Sequence, residues 1–270
     1  ALLRAIRGDR LDTTMNYRLR DAVLGLLAPQ PFDSKGFADS GREIAPSEFA
    51  NRILSIREDY PDAAYHSLMN LLDSHDTERI RWTLTPGEET REGREFTEAN
   101  VAEGEARQRI AALIQYTMPG APTVFYGDEV GITGDDDPDD RRTFPWPGKG
   151  TRGDTRDLDL YGYYAALADA REDVAALTDG DIRILAADDA GGTVAYGRGT
   201  TSQAAVVIVN RSDTEQSGAI PVAGWLPDGT VLRPVVAANT PGGGAVTVTD
   251  GAIQGTLPAL SAVVLATGRV

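Results

Sequence analysis

"LLDSHDTERI" (residues 71–80) is the stretch on which the reading of the fold turns. Two leucines give an apolar, strand-like lead, and the segment then becomes abruptly polar at Asp73-Ser74-His75-Asp76. In barrels of parallel strands, functional groups gather where a strand ends and enters the following loop. A carboxylate there accepts hydrogen bonds from hydroxyls or offsets positive charge, and an imidazole donates to the same hydroxyls. A two-residue motif is weak by itself. A capped strand end with a satisfied histidine is the commoner explanation of His75-Asp76 at this point.

Working outward, "AYHSLMNLL" (64–72) reads as the strand that delivers this loop. Upstream, "LDTTMNY" (11–17) reads as a strand and "RLRDAVLGLLA" (18–28) as a helix. A Pro-, Gly- and Asp-rich loop covers 29–46. Ser47 is expected to N-cap a helix to about Tyr60, with Phe49, Ile53, Leu54 and Ile56 on one side. Downstream come a charged loop (85–97) and a helix from Glu98 to Thr117, expected to bury Ala102, Ala106, Ile110, Leu113 and Ile114. "MPGAPTVFYG" (118–127) turns at Pro-Gly into another strand; a loop (128–157) and a final helix (158–171) follow. Strands alternating with helices predict βα units and a parallel sheet covered on both faces.

The pattern changes near Leu177. From 178 onward the chain holds short apolar runs at turn-bounded spacing, such as Val194–Tyr196, Ala204–Val209, Val231–Val236, Ala245–Val248 and Ala262–Ala266. These predict an antiparallel β-sandwich. The expected class is therefore α/β plus all-β, with domains 1–177 and 178–270.

Composition narrows the function. Of 270 residues, 41% are hydrophobic, enough for a packed core rather than disorder. No apolar run approaches the roughly 20 residues that span a bilayer. There is no cysteine, so thiolate metal sites and disulfides are excluded. His66 and His75 are the only histidines, which rules out a three-histidine centre. A net charge of −15 repels nucleic acid and anionic membranes, and neither is expected as a partner. All basic residues but Lys35 and Lys149 are arginine.

The second informative stretch is "MPGAPTVFYGDEVGITGDDDPDDRRTFPW" (118–146). Its Asp cluster lacks the alternating acids, glycine and closing glutamate of an EF-hand loop. It reads as a solvated acidic loop with internal Asp–Arg pairs. Trp146 reads as a packing residue, with sugar stacking as the other reading. No metal site is assigned.

"MNLLDSHDTERI", followed one helix later by this second stretch, resembles glycoside hydrolase family 13, the α-amylase family, in its neopullulanase, maltogenic amylase and cyclomaltodextrinase group. "RGDRLDTTMNYRLRDAV" (7–23) is similar to the segment at that family's sixth barrel strand. "DSHDTERI" is similar to the motif ending the seventh, and "APTVFYGDE" to the eighth. The closing sandwich is similar to the family's domain C. The resemblance covers nearly the whole chain and implies the C-terminal part of a (β/α)8 barrel, about strands 6–8, followed by that sandwich.

The resemblance further implies retaining hydrolysis of α-1,4, and in some members α-1,6, glucosidic bonds, with two carboxyl groups flanking the scissile bond. Asp76 matches a third catalytic carboxylate, which stabilises the transition state at subsite −1. His75 matches its neighbour on the same sugar. Asp137 and Arg141 match residues that bind sugar further toward the non-reducing side, with several acids in "DDDPDDRR" competing for the first role.

The motifs that carry the family's nucleophile and general acid are not in this sequence. The chain starts as though in the interior of a protein, just past where the acid is expected, and it is expected to be inactive alone. The implied partners are an α-glucan oligosaccharide or polysaccharide and, for the open barrel edge, the missing N-terminal portion of the barrel or self-association. A non-catalytic glucan-binding or structural piece that assembles with another chain is the alternative. No cofactor is evident, and calcium stays open for the parent enzyme. Secretion suits a polymer-degrading parent, although no leader is visible.

Overall fold

The computed structural model describes residues 12–34, 37–149 and 156–268. Its first part is built on three neighbouring parallel strand segments. The helix Tyr17–Leu27 opens at Asn16, whose side chain accepts from the Leu19 amide at 3.2 Å. Immediately before it, Asn16 N–H donates to Met69 O, Met69 N–H donates to Thr14 O, and Met15 bridges Met69 in parallel. The expected strand at 11–17 is therefore present as this short ladder, Leu11 lying outside the described residues. A hairpin follows, β1 (Phe32–Ser34) against antiparallel β2 (Phe37–Gly41), where the sequence suggested only loop. Gly41 is required there, because a Cβ would meet the buried Phe32 ring at 2.3 Å.

Strand β3 is shorter than expected. Asp62–Tyr65 forms a helical turn, and only Met69–Leu71 is extended. It pairs in parallel with β4 (Ala121–Thr123), Met69 opposite Ala121 and Leu71 opposite Thr123. Side chains fix this register as well. Asn16 Nδ2 donates to Asn70 Oδ1, and Asn70 Nδ2 donates to Pro119 O, both at 2.9 Å and both buried. Such fully paired buried amides tolerate no slip of one strand past the next.

The helix Pro46–Asp59 starts one residue before the expected cap. Pro46 holds the first position, which suits its missing N–H. Ser47 does not cap its own helix: its N–H and Oγ donate to the two carboxylate oxygens of Asp189, at 2.8 and 2.7 Å. Phe49, Ile53 and Ile56 are buried, but Leu54 is exposed. The charged segment 85–97 contains a π-helical turn, Glu92–Phe96. The helix Glu98–Thr117 has the expected bounds and buries Ile110, Leu113 and Ile114 as expected, but its first half turns another side inward. Gly104 and Gln108 are buried while Ala102 is exposed, because Thr85 packs where a Cβ on Gly104 would lie. The helix Leu158–Asp173 is N-capped by Asp157.

A last helical turn ends at Thr178, and β5 (Asp181–Asp188) begins the antiparallel part. It continues with β6 (Thr193–Gly199), β7 (Ala204–Asn210), β8 (Gln216–Pro221), β9 (Val231–Ala238), β10 (Val246–Thr247), β11 (Ala252–Leu257) and β12 (Ser261–Thr267). One six-stranded sheet runs β10-β9-β12-β7-β6-β5, and β11-β8 forms the second layer.

Every residue of β7 is buried. Ala205, Val207 and Val209 face a core shared with the helices, whereas Ala204, Val206 and Ile208 face the second sheet. Along β12 the same split puts Ala262, Val264 and Ala266 on the first side and Val263 and Leu265 on the second. This is the period-two alternation of a strand, apolar on both faces because both are covered. No helix among the described residues is long and apolar enough to cross a membrane.

Candidate active-site segment

The turn after β3 presents the two residues of interest at its tip. Ser74 N–H donates to Thr77 Oγ1 at 3.0 Å, and Asp76 N–H donates to Ser74 Oγ at 3.2 Å. This local bonding leaves the His75 and Asp76 side chains 64% exposed, with His75 Nε2 3.4 Å from Asp76 Oδ1. The loop after β4 meets the tip. Arg141 Nε donates to the carbonyl oxygen of His75 at 3.1 Å, and Arg141 Nη2 pairs with Asp137 Oδ2 at 2.9 Å. All four residues singled out in the sequence, His75, Asp76, Asp137 and Arg141, thus lie in one connected, half-open cluster.

Beneath the tip lies a buried framework that the sequence reading did not single out. Arg79, fully buried, donates from Nε to Asp140 O and from Nη1 to Tyr126 O, both at 2.6 Å, and pairs with Asp128 Oδ1 at 3.1 Å. Its guanidinium also lies over the rings of Phe125 and Tyr126. One side chain therefore ties the β3 loop to the β4 loop at three points. Asp73 receives the Ile80 N–H at 2.8 Å and is hydrogen-bonded to Asp128. Burial pushes both carboxyls up, and the neighbouring Asp73 carboxylate pushes Asp128 further. Both framework acids belong to the quoted motifs, as "LLD" and "YGD". The available signal was their place immediately beyond an apolar run.

The acidic loop forms the expected internal pairs, Asp137 with Arg141 and Asp139 with Arg142. Asp140 departs from the solvated picture. It is fully buried, neither carboxylate oxygen has a hydrogen-bond donor, and desolvation raises its pKa. Trp146 departs from its expected packing role: it is 61% exposed and rests against Phe144. Among the described residues, the side chains best placed for a cation are Glu78, Glu89 and Asp135, whose oxygens lie within 4.8 Å of one another. Three oxygens are about half of what calcium takes. Burial lifts the Glu78 carboxyl to about 7, so near neutral pH a cation competes with a proton for it.

Parallel strands that end in one shared loop cluster, followed by an antiparallel sandwich packed on their helices, define the late part of a (β/α)8 barrel with its trailing β domain. No family model matches the sequence. The chain is 31% identical over 267 residues to an amylopullulanase of Thermoanaerobacterium thermosulfurigenes, covering 96% of this chain and 14% of that protein. It is 32% identical over 219 residues to a cyclomaltodextrinase of Geobacillus thermopakistaniensis (strain MAS1), covering 80% of this chain and 31% of that protein. The fold matches the acarbose-soaked debranching enzyme of Nostoc punctiforme at a TM-score of 0.74 and 22% identity, over 98% of this chain and 48% of that one. Motifs, fold and relatives agree on glycoside hydrolase family 13, the α-amylase family, in its neopullulanase and cyclomaltodextrinase group. The chain spans less than a third of the length of these two sequence relatives.

Proposed function

We propose that this chain supplies the late barrel strands and domain C of a retaining α-glucan hydrolase acting on α-1,4 glucosidic bonds of starch, pullulan or maltodextrins, with α-1,6 bonds as the alternative. The observation that carries this reading is the connected cluster of His75, Asp76, Asp137 and Arg141 at the ends of adjacent parallel strands. The relatives support it, since their names are those of α-glucan hydrolases.

In this reading Asp76 accepts hydrogen bonds from hydroxyls of the sugar at the scissile bond. As that sugar flattens and its anomeric carbon gains positive charge, the fixed carboxylate favours the distorted form over the ground state. His75 donates to the same sugar. Asp137 and Arg141 grip a sugar further along, and the Arg141–His75 bond keeps the two grips in register. No Asp or Glu of the 270 residues has the sequence context of the family's nucleophile or acid, so the bond-breaking groups have to come from elsewhere. The open strand edge is where a complementary barrel segment, or a second copy, would pair.

Purified chain incubated with starch, pullulan and cyclodextrins should release no reducing sugar. Co-folded with a barrel segment that carries both missing carboxylates, it should become active. Sustained hydrolysis by the chain alone would overturn its proposed dependence on that segment. A well-folded but inactive complex would overturn the hydrolase reading itself.

A further inference from the structure

Outside the sugar cluster, the molecule contains a cleft whose charge runs against that of the whole. The chain carries −15, yet this cleft of about 760 Å³ is lined by Arg81, Arg91, Arg94, Arg142 and Lys149 against only Glu95 and Asp139. It lies between the Glu92–Phe96 turn and the loop 139–149, and its volume suits a small ligand. None of His75, Asp76, Asp137 and Arg141 lines it.

The two acids are already engaged. Glu95 is held by Arg91 at 2.7 Å and by Arg142 at 2.6 Å, and Asp139 is held by Arg142. Arg81 and Arg94 reach carboxylates only at 3.8 Å (Glu105) and 3.4 Å (Glu89). Both arginines are buried, at 6% and 4% exposure, and each keeps a nitrogen without an acceptor, Arg81 Nη2 and Arg94 Nε. Thr133 Oγ1, on the same lining, also lacks a partner. Buried guanidinium donors left unmatched are costly, and an oxyanion in the cleft is the ligand type that matches several of them at once.

We propose that this cleft binds a phosphate monoester or free phosphate, independently of the glucan reading. Planar guanidinium groups present paired donors that fit phosphate oxygens, and a dianion answers a surplus of cations better than a single carboxylate does. Phe96, 60% exposed, and Phe144 give the same cleft an apolar wall, which suits the carbon body of a sugar phosphate over the bare ion. Lys149 stands exposed on the lining as a mobile point charge.

Calorimetric titration of the 270-residue chain with glucose 6-phosphate, inorganic phosphate and glucose tests this. The expected result is saturable one-site binding of glucose 6-phosphate, weaker binding of inorganic phosphate and no binding of glucose. Lys149→Gln, at an exposed position, should weaken the phosphate ligands about tenfold with unchanged melting, and Arg91→Gln, which also releases its pair with Glu95, should weaken them by as much. Equal binding of the two phosphates supports the shared chemistry and makes free phosphate the ligand. Absence of phosphate binding at millimolar concentration overturns the proposal. So does glucose binding as well as its phosphate, or variants that both bind like the parent chain.

Discussion

The guanidinium carbon of Arg79 sits 3.9 Å from the ring centroid of Phe125, joining a residue of the β3 loop to one of the segment leaving β4. The same side chain bonds two backbone carbonyls and Asp128. Replacing it with Met keeps much of the volume but leaves Asp128 and both carbonyls without their donor. Arg79→Met should cost about 3 kcal/mol or more of stability by denaturant unfolding. Arg79→Lys should recover only part, since an ammonium cannot copy the planar fork. Equal stability of the Met variant and the parent chain would show that the two loops are held by other contacts.

Asp76 is the opposite case, a charge on display rather than in a framework. Its side chain is 64% exposed, with His75 Nε2 3.4 Å from Oδ1. Asp76→Asn should leave the melting midpoint unchanged. In a complex completed with the missing carboxylates, it should lower glucan hydrolysis about 100-fold or more, the scale of losing one preorganised transition-state group. A variant that melts early, or an active complex indifferent to the change, would place Asp76 among structural residues instead.

Much of this was legible before any coordinates. The long apolar patterns gave the helices at 98–117 and 158–171, and the order of two motifs placed four residues that the fold does bring together. The sequence did not display what depends on a distant partner. Gly104 is buried because Thr85 lies against it, which no periodicity along the helix reveals. Arg79 and Asp140 look like solvated charges in a polar run, and only the meeting of two loops buries them. Strands β8 and β11 were missed because Gly, Ser, Thr and Gln dilute their apolar pattern, and they find strand geometry by pairing with each other. Ser47 was read as a local cap, whereas its partner stands 142 residues away.

That Ser47–Asp189 contact carries its own expectation. The two hydrogen bonds from Ser47 hold the Asp189 carboxyl below the ordinary carboxylate range. A depressed folded-state pKa contributes stability that is present above the unfolded value, about 4, and disappears as pH falls through the folded one. Asp189→Asn should therefore lower the melting temperature at pH 7 and have a vanishing effect in strong acid. A difference that persists at the lowest pH where the chain stays folded would assign the effect to packing.

Glu78 has the reverse sign. Burial first, with Asp33 and Glu89 adding to it, lifts its carboxyl from 4.5 to about 7. The folded state then holds more protons than the unfolded state between those values, so this site loses stability as pH rises through that window, by on the order of 3 kcal/mol in total. Glu78→Gln should be close to neutral at pH 4.5 and stabilising at pH 8, read from urea midpoints at the two pH values. Greater stabilisation at the acidic end would contradict the assignment.

The two-sided strands β7 and β12 have a practical consequence for anyone who wants to take this molecule apart. Scission in the short link between Thr178 and Asp181 would not yield two shelf-stable modules. It would strip the helices from Val207, Val209 and Val264 and expose a greasy plane on each half. The seam behaves as a weld, and swapping either half into another protein means carrying over the matching face of its neighbour.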